Sequence, residues 1–186
     1  MALTETKLLP LGFIAHEFTL FDVVSQEFKS LRELKGDKGT VVMFICNHCP
    51  YVKHINLKLV EVARNYIKKG ISFIAINSND VEQYPDDSPE NMRKIALELS
   101  YPFPYLFDEN QQVAIAYQAA CTPDFNLFDA DLKCVYRGRF CPSTPGNGIP
   151  VTGKDLINAM DALINNQPID PTQFPSMGCS IKWKKQ

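Results

Sequence analysis

The chain has 186 residues, 45% of them hydrophobic and 22% charged, enough to bury one good core and too few to need two. Nineteen basic against twenty-one acidic side chains leave a formal charge of -2, which offers no field for nucleic acid or an anionic membrane surface. No run approaches the ~18 apolar residues of a membrane span, and MALTETKLLPLGFIAHEF lacks a basic start with an unbroken apolar core, so a soluble, cytoplasmic protein is expected.

HEFTLFDV and QEFKSLREL alternate apolar and polar residues around Ser25 and Gln26, which predicts an N-terminal hairpin. GTVVMFIC is β-branched and aromatic on both faces and reads as a central buried strand. From Pro50 the period changes: Val52, Ile55, Leu59, Val62 and Tyr66 fall three or four apart, and Gly70 follows Lys68 and Lys69 as a stop, the marks of an amphipathic helix. ISFIAIN repeats the buried-strand pattern, so strand, helix and strand imply a parallel pair with a right-handed crossover. In the polar loop that follows, Ser88 is placed to cap a helix with Pro89 in its first position and Met92, Ile95, Ala96 and Leu99 facing inward.

YPFPYLFDEN is too rich in proline for an interior strand and suits a sheet edge. A short helix from Asn110 to Ala119 leads to CTPDFNLFD and LKCVYRGRF, an antiparallel hairpin turning at Ala130 and Asp131. Thr152 with Asp155 predicts a capping-box-like start to a last helix carrying Leu156, Ile157, Met160 and Ile164. One domain over 1–166 is expected. The remaining residues, 167–186, have three prolines and no clear period, and are expected to lie over it and cover Phe174, Ile181 and Trp183.

The chemistry sits where the first buried strand gives way to its helix. Cys46 and Cys49 stand there with His48 between them and Pro50 after. Six cysteines in a chain of this kind do not make a secreted disulfide framework, so a close pair reads as catalytic or metal-binding. With Cys49 in the first turn of the helix, the Cys46 sulfur is expected to face unpaired amide groups and the positive end of the helix dipole. That favours the thiolate, the attacking species in thiol–disulfide exchange. A second thiol three residues on closes an intramolecular disulfide without rearranging the backbone, and His48 is a candidate cation or donor beside the sulfur. The bland alternative is two cysteines packed as small hydrophobes.

A buried strand, CxxC at the start of the next helix, a second parallel strand and a later hairpin preceded by Thr122 and Pro123 resemble the thioredoxin fold. HEFTLFDV through LKCVYRGRF resembles the redoxin branch of it, the peroxiredoxin-like AhpC/TSA group. FICNHCPYV, YPFPYLFDENQQVAIAY, CTPDFNLFD, TPGNGIP and GCSIKWK together resemble bacterial peroxiredoxin-like or thioredoxin-family proteins. The resemblance implies an α/β, thioredoxin-like fold with a central mixed sheet flanked by helices, an N-terminal hairpin and a C-terminal tail. It implies a redox pair at Cys46 and Cys49, with Thr122 and a cis Pro123 facing it where substrate binds. It implies no organic cofactor, and partners that are protein or small-molecule thiols and disulfides, reset by a thioredoxin or glutathione system.

The departures from the family pattern are specific. Ile45 stands where thioredoxins have Trp, and Asn47-His48 where they have Gly-Pro. The His resembles that of the periplasmic disulfide oxidases, whose nucleophile has a pKa of about 3.5 against about 7 in thioredoxin, and points to a more oxidising couple. The peroxiredoxin signature Pro-x-x-x-Thr/Ser-x-x-Cys is absent, since Met43 and Gly39 precede Cys46 at those spacings, and Cys46 and Val42 precede Cys49 near them. Arg137 and Arg139 are read as solvated surface residues.

The expected activity is that of a thiol–disulfide oxidoreductase in which Cys46 attacks, Cys49 resolves and His48 tunes. The enzymatic rival is a thiol-dependent peroxidase, with Cys46 oxidised to sulfenic acid and Cys49 condensing with it. The binding rival is a copper or zinc module using Cys46, Cys49 and His48 or His54. Cys121, two residues before Pro123, reads as a core cysteine or an accessory thiol, and Cys134 as structural. Cys141 and Cys179, in a loop and the tail, are candidates for a resolving or regulatory role that no spacing supports.

Overall fold

A computed structural model describes residues 3–7 and 9–185; Met1, Ala2, Leu8 and Gln186, which the spans 1–166 and 167–186 include, lie outside the described residues. The elements in order are β1 (Leu3–Glu5), β2 (Thr19–Asp22), β3 (Glu27–Ser30), α1 (Leu31–Leu34), β4 (Gly39–Phe44), α2 (Pro50–Ile67) and β5 (Ile71–Asn77). A 3-10 turn at Pro85–Asp87 precedes α3 (Pro89–Glu98), β6 (Tyr105–Phe107), α4 (Gln112–Ala116), β7 (Cys121–Thr122), β8 (Asp124–Asp129), β9 (Cys134–Gly138), α5 (Lys154–Ile164) and β10 (Met177–Ser180).

The fold is a central mixed sheet flanked by helices, in the order β3-β2-β6-β5-β4-β8-β9. Every residue of β4 is buried, because it lies between β5, to which it is parallel, and the antiparallel β8. The pleat sends alternate side chains to opposite faces. Val41, Met43, Phe73 and Ala75 join Val52, Leu59, Met92, Leu156 and Met160 of α2, α3 and α5 in one core. Val42, Phe44, Ile74 and Ile76 meet Leu31, Val113 and Ala114 of α1 and α4 in the other. No helix among the described residues is long and apolar enough to cross a membrane.

The hairpin of β2 and β3, the parallel β4-α2-β5 unit, the Ser88 cap and the β8-β9 hairpin stand as the patterns predict. Four expectations are corrected. QEFKSLREL does not run on as strand, because Ser30 and Glu33 form a reciprocal capping box that starts α1. β6 is interior, with β5 on one side and β2 on the other; Pro102 and Pro104 both precede it, so neither removes a donor from the paired residues. α5 is opened by Gly153 at φ 74° and has no side-chain cap, since Thr152 Oγ1 accepts from Lys154 N at 3.3 Å, one residue too early for a box. The segment after Gln167 is no loose cover: β10 pairs with β1 and β7 in a second, three-stranded sheet. Ile181 is buried, whereas Phe174 and Trp183 are 46% and 43% exposed. Phe174 lies under the Arg139 guanidinium, 4.3 Å from its ring centre.

This last segment also covers the free rim of β9. Arg137 N donates to Gln173 Oε1 at 2.6 Å and Arg139 N to the Phe174 carbonyl at 2.9 Å. β10 reaches β7 only because Gly178 has no side chain: a Cβ there would lie 1.9 Å from the Thr122 carbonyl oxygen.

Candidate active site

Beyond β4 the chain keeps one more ladder bond, from Ile45 N to the Ile76 carbonyl at 3.0 Å, and then bends through Cys46, Asn47 and His48. Cys49 is the N-cap of α2 and Pro50 its first residue, a position where the missing N–H costs nothing. The Cys49 carbonyl accepts from Val52 N at 3.1 Å and Lys53 N at 3.0 Å. Facing this corner is β7, ending in a cis Thr122–Pro123 bond.

Thr122 touches both thiols of the pair. Its Oγ1 is 3.2 Å from Cys46 Sγ and its carbonyl oxygen 3.2 Å from Cys49 Sγ. A third sulfur completes the cluster: Cys179 Sγ on β10 is 2.9 Å from Cys49 Sγ. Cys46, Cys49 and Cys179 are 1%, 0% and 4% exposed. Cys49 is the N-cap residue, and its side chain makes no capping hydrogen bond. Hydrogen bonds from Cys46, Cys179 and the Val52 amide pull the Cys49 thiol down to about 5 against the opposing effect of burial. Cys46 is the partner that keeps the proton: its bond to Cys49, burial and the nearby Asp87 charge all push it up. The two thiols are thus shifted in opposite directions, Cys49 down and Cys46 up.

His48 does not act on the sulfurs alone. Its Nδ1 is paired with Asp87 Oδ2 at 2.5 Å, and its ring stacks on Tyr84 with centroids 5.3 Å apart. Asp87, fully buried in the 3-10 turn, also accepts from Asn47 N at 2.7 Å, His48 N at 3.2 Å and Asn79 Nδ2 at 2.7 Å. Burial pushes its carboxyl up, but the bonds from His48, Asn79 and Asn47 prevail and hold it below the usual carboxylate range. Cys179 was a candidate without a spacing argument, and Asp87 was not singled out at all: it is one of two adjacent aspartates in a polar loop, and nothing local distinguishes it from Asp86.

The other candidates divide cleanly. Cys121 points away from the pair, toward Thr6 Oγ1 at 3.7 Å and the Ser176 carbonyl at 3.9 Å. Cys134 is packed in β9, its thiol pushed up to about 12 chiefly by burial. Cys141 lines a cavity of about 80 Å³ with Tyr51, Ile55, Phe140 and Met177, and Pro123 forms part of the same wall. His54 bonds Ser143 Oγ at 2.7 Å and is no part of the sulfur cluster. Arg137 is corrected from surface to interior: at 3% exposure it donates to the Tyr117 carbonyl at 2.8 Å, to Asn126 Oδ1 at 3.0 Å and to Asp124 Oδ2 at 3.3 Å. Arg139 is partly buried and paired with Asp155 at 2.6 Å.

One donor set has metal-like proximity. A sulfur of Cys46, a ring nitrogen of His48 and a carboxylate oxygen of Asp87 lie within 4.8 Å of one another. The two carboxylate oxygens are already taken by four N–H donors, so this set fits a metal ion poorly.

Residues 11–140 match the AhpC/TSA family. A crystal structure of an uncharacterized conserved protein from Geobacillus kaustophilus is 57% identical over 100% of this chain and 98% of that one, with a TM-score of 0.98. A hypothetical protein of Sinorhizobium meliloti 1021 is 41% identical over 98% of this chain and all of its own, with a TM-score of 0.96. The thioredoxin domain of a thiol-disulfide oxidoreductase from Bacteroides vulgatus, 20% identical over 70% of this chain and 89% of its own, shares the fold at a TM-score of 0.59. No curated protein matches the chain in sequence.

Proposed function

The chain belongs to the AhpC/TSA family and is a redoxin on the thioredoxin fold; from that premise we propose that it is a thiol–disulfide oxidoreductase whose redox pair is Cys46 and Cys49. The observation that carries this reading is the buried dithiol at the start of α2, both sulfurs 3.2 Å from Thr122.

Both sulfurs are buried, at 1% and 0% exposure. Cys49 is flanked by Thr122 and Cys179, whereas Cys46 lies within 4.8 Å of a ring nitrogen of the partly buried His48. Cys46, on the His48 side, attacks one sulfur of the substrate disulfide as its proton passes to Cys49. The substrate's other sulfur leaves as a thiolate and takes that proton as a thiol. Cys49, a thiolate again, attacks Cys46 Sγ, closes the intramolecular disulfide and expels the second substrate sulfur as a thiolate. Two electrons pass from the dithiol to the substrate.

His48, fixed by Asp87, lies close enough to stabilise charge building on Cys46 when its ring is protonated. Thr122 and Pro123, with the cavity beside them, hold the substrate chain. Protein or small-molecule disulfides are the substrates, an external thioredoxin or glutathione system resets the pair, and the setting is the cytoplasm.

Replacing Cys49 with Ser should trap a mixed disulfide through Cys46, identified by peptide mapping after reaction with a model disulfide. Equal trapping by the Cys46→Ser protein would reverse the two roles. Stopped-flow mixing with hydrogen peroxide separates the peroxidase reading: a rate constant above that of an ordinary thiolate would move the protein to that class.

A further inference from the structure

Cys49 has a neighbour on each side. Cys46 faces it across Thr122, which touches both sulfurs at 3.2 Å, and Cys179 Sγ stands 2.9 Å away on β10, within 1 Å of the ~2.05 Å of a formed disulfide. The contact is built into the sheet: Cys179 is in register with Thr122, and the bare backbone of Gly178 is what lets the two strands meet. Cys179 also lies outside residues 11–140, the span that matches the family, so it is an addition to the shared redox machinery.

We propose that Cys179 is a third member of the redox centre, converting the Cys46–Cys49 disulfide into a Cys49–Cys179 disulfide. This rests on the reading of Cys46 and Cys49 as the redox pair. The Cys179 thiolate attacks Cys49 Sγ, the Cys49–Cys179 bond forms, the Cys46–Cys49 bond breaks and Cys46 leaves as a thiolate. The proton given up by Cys179 ends on Cys46. No electron is gained or lost, and no outside reactant is consumed. The result is an oxidised protein in which Cys46 has been returned to the Pro123 corner, able to engage a second partner while the first oxidation is stored behind it.

In the reduced protein Cys179 is held protonated, pushed up to about 12 by burial and by its bond to Cys49. Once Cys49 is in a disulfide its raising effect is gone, and burial is left opposed by the Lys182 charge. The step is thus restrained until the pair has been oxidised.

The test is a disulfide map. Wild-type protein, Cys46→Ser and Cys179→Ser are equilibrated in glutathione buffers, quenched in acid, alkylated and digested for mass spectrometry. Wild type should contain both the Cys46–Cys49 and Cys49–Cys179 bonds, in amounts within about tenfold of each other. Cys46→Ser should form Cys49–Cys179 alone, and Cys179→Ser only Cys46–Cys49. A wild-type map with Cys46–Cys49 and no Cys49–Cys179 overturns the proposal and leaves the oxidoreductase reading standing. The absence of Cys46–Cys49 from both wild type and Cys179→Ser overturns that reading, and the proposal with it. The wild-type map alone decides the first of these, so a misfolded variant does not leave the proposal untested.

Discussion

Asp87 ties the CxxC corner to the crossover loop, receiving two backbone amides, the His48 ring and the Asn79 amide on one carboxylate. Its carboxyl is depressed in the fold, so its contribution is complete above the ordinary aspartate range and drains away as pH falls through the lower folded value. Asp87→Asn should cost about 2 kcal/mol near neutrality, and the gap to wild type in urea midpoints should shrink below about pH 4. Cys49 supplies a second pH signature. The reduced protein should keep one thiolate's worth of ultraviolet absorbance down to pH about 5 and lose it on oxidation or in Cys49→Ser. An absorbance that instead fades through the usual thiol range would place the charge elsewhere. The pair and the His were legible because their spacing is local, whereas Thr122 and Pro123 came through the family resemblance alone. Asp87 and Cys179 were not, because they reach the site through pairings forty to 130 residues apart in the chain.

At the scale of elements, β4, α2 and β5 were readable since a buried parallel unit needs apolar runs on both faces and an apolar helical stripe between them. The place of β6 was hidden: whether three residues after two prolines lie inside or at an edge depends on where the β2–β3 hairpin docks, which no nearby residue records. β10 was hidden likewise, its four residues having no period of their own. Its clue was Gly178 beside Cys179, intelligible only once β7 is seen against it. Gly178→Ala should force those strands apart, costing about 3 kcal/mol by overpacking against backbone that cannot yield. The same variant should weaken the Cys49 thiolate signal, because Cys179 would no longer donate to it. Unchanged stability and an unchanged signal would show that β10 does not press on β7.

Over the whole molecule, one sheet separates two cores, and the redox corner lies where the small β1-β10-β7 sheet meets the large one. The buried Arg137–Asp124 pair holds the strand after Pro123 in place from inside. The same closing segment that brings Cys179 inward lies along β9 through Gln173 and Phe174. An unpaired strand rim is adhesive to its own kind. Cleavage within the exposed stretch 165–168, followed by removal of the released peptide, should turn β9 into a template on which molecules zip together, seen as a rise in light scattering over the uncut protein. The peptide that carries Cys179 thus also lies along the β9 rim as a shield against self-assembly, and clipping it would bare that rim as it took the third sulfur away.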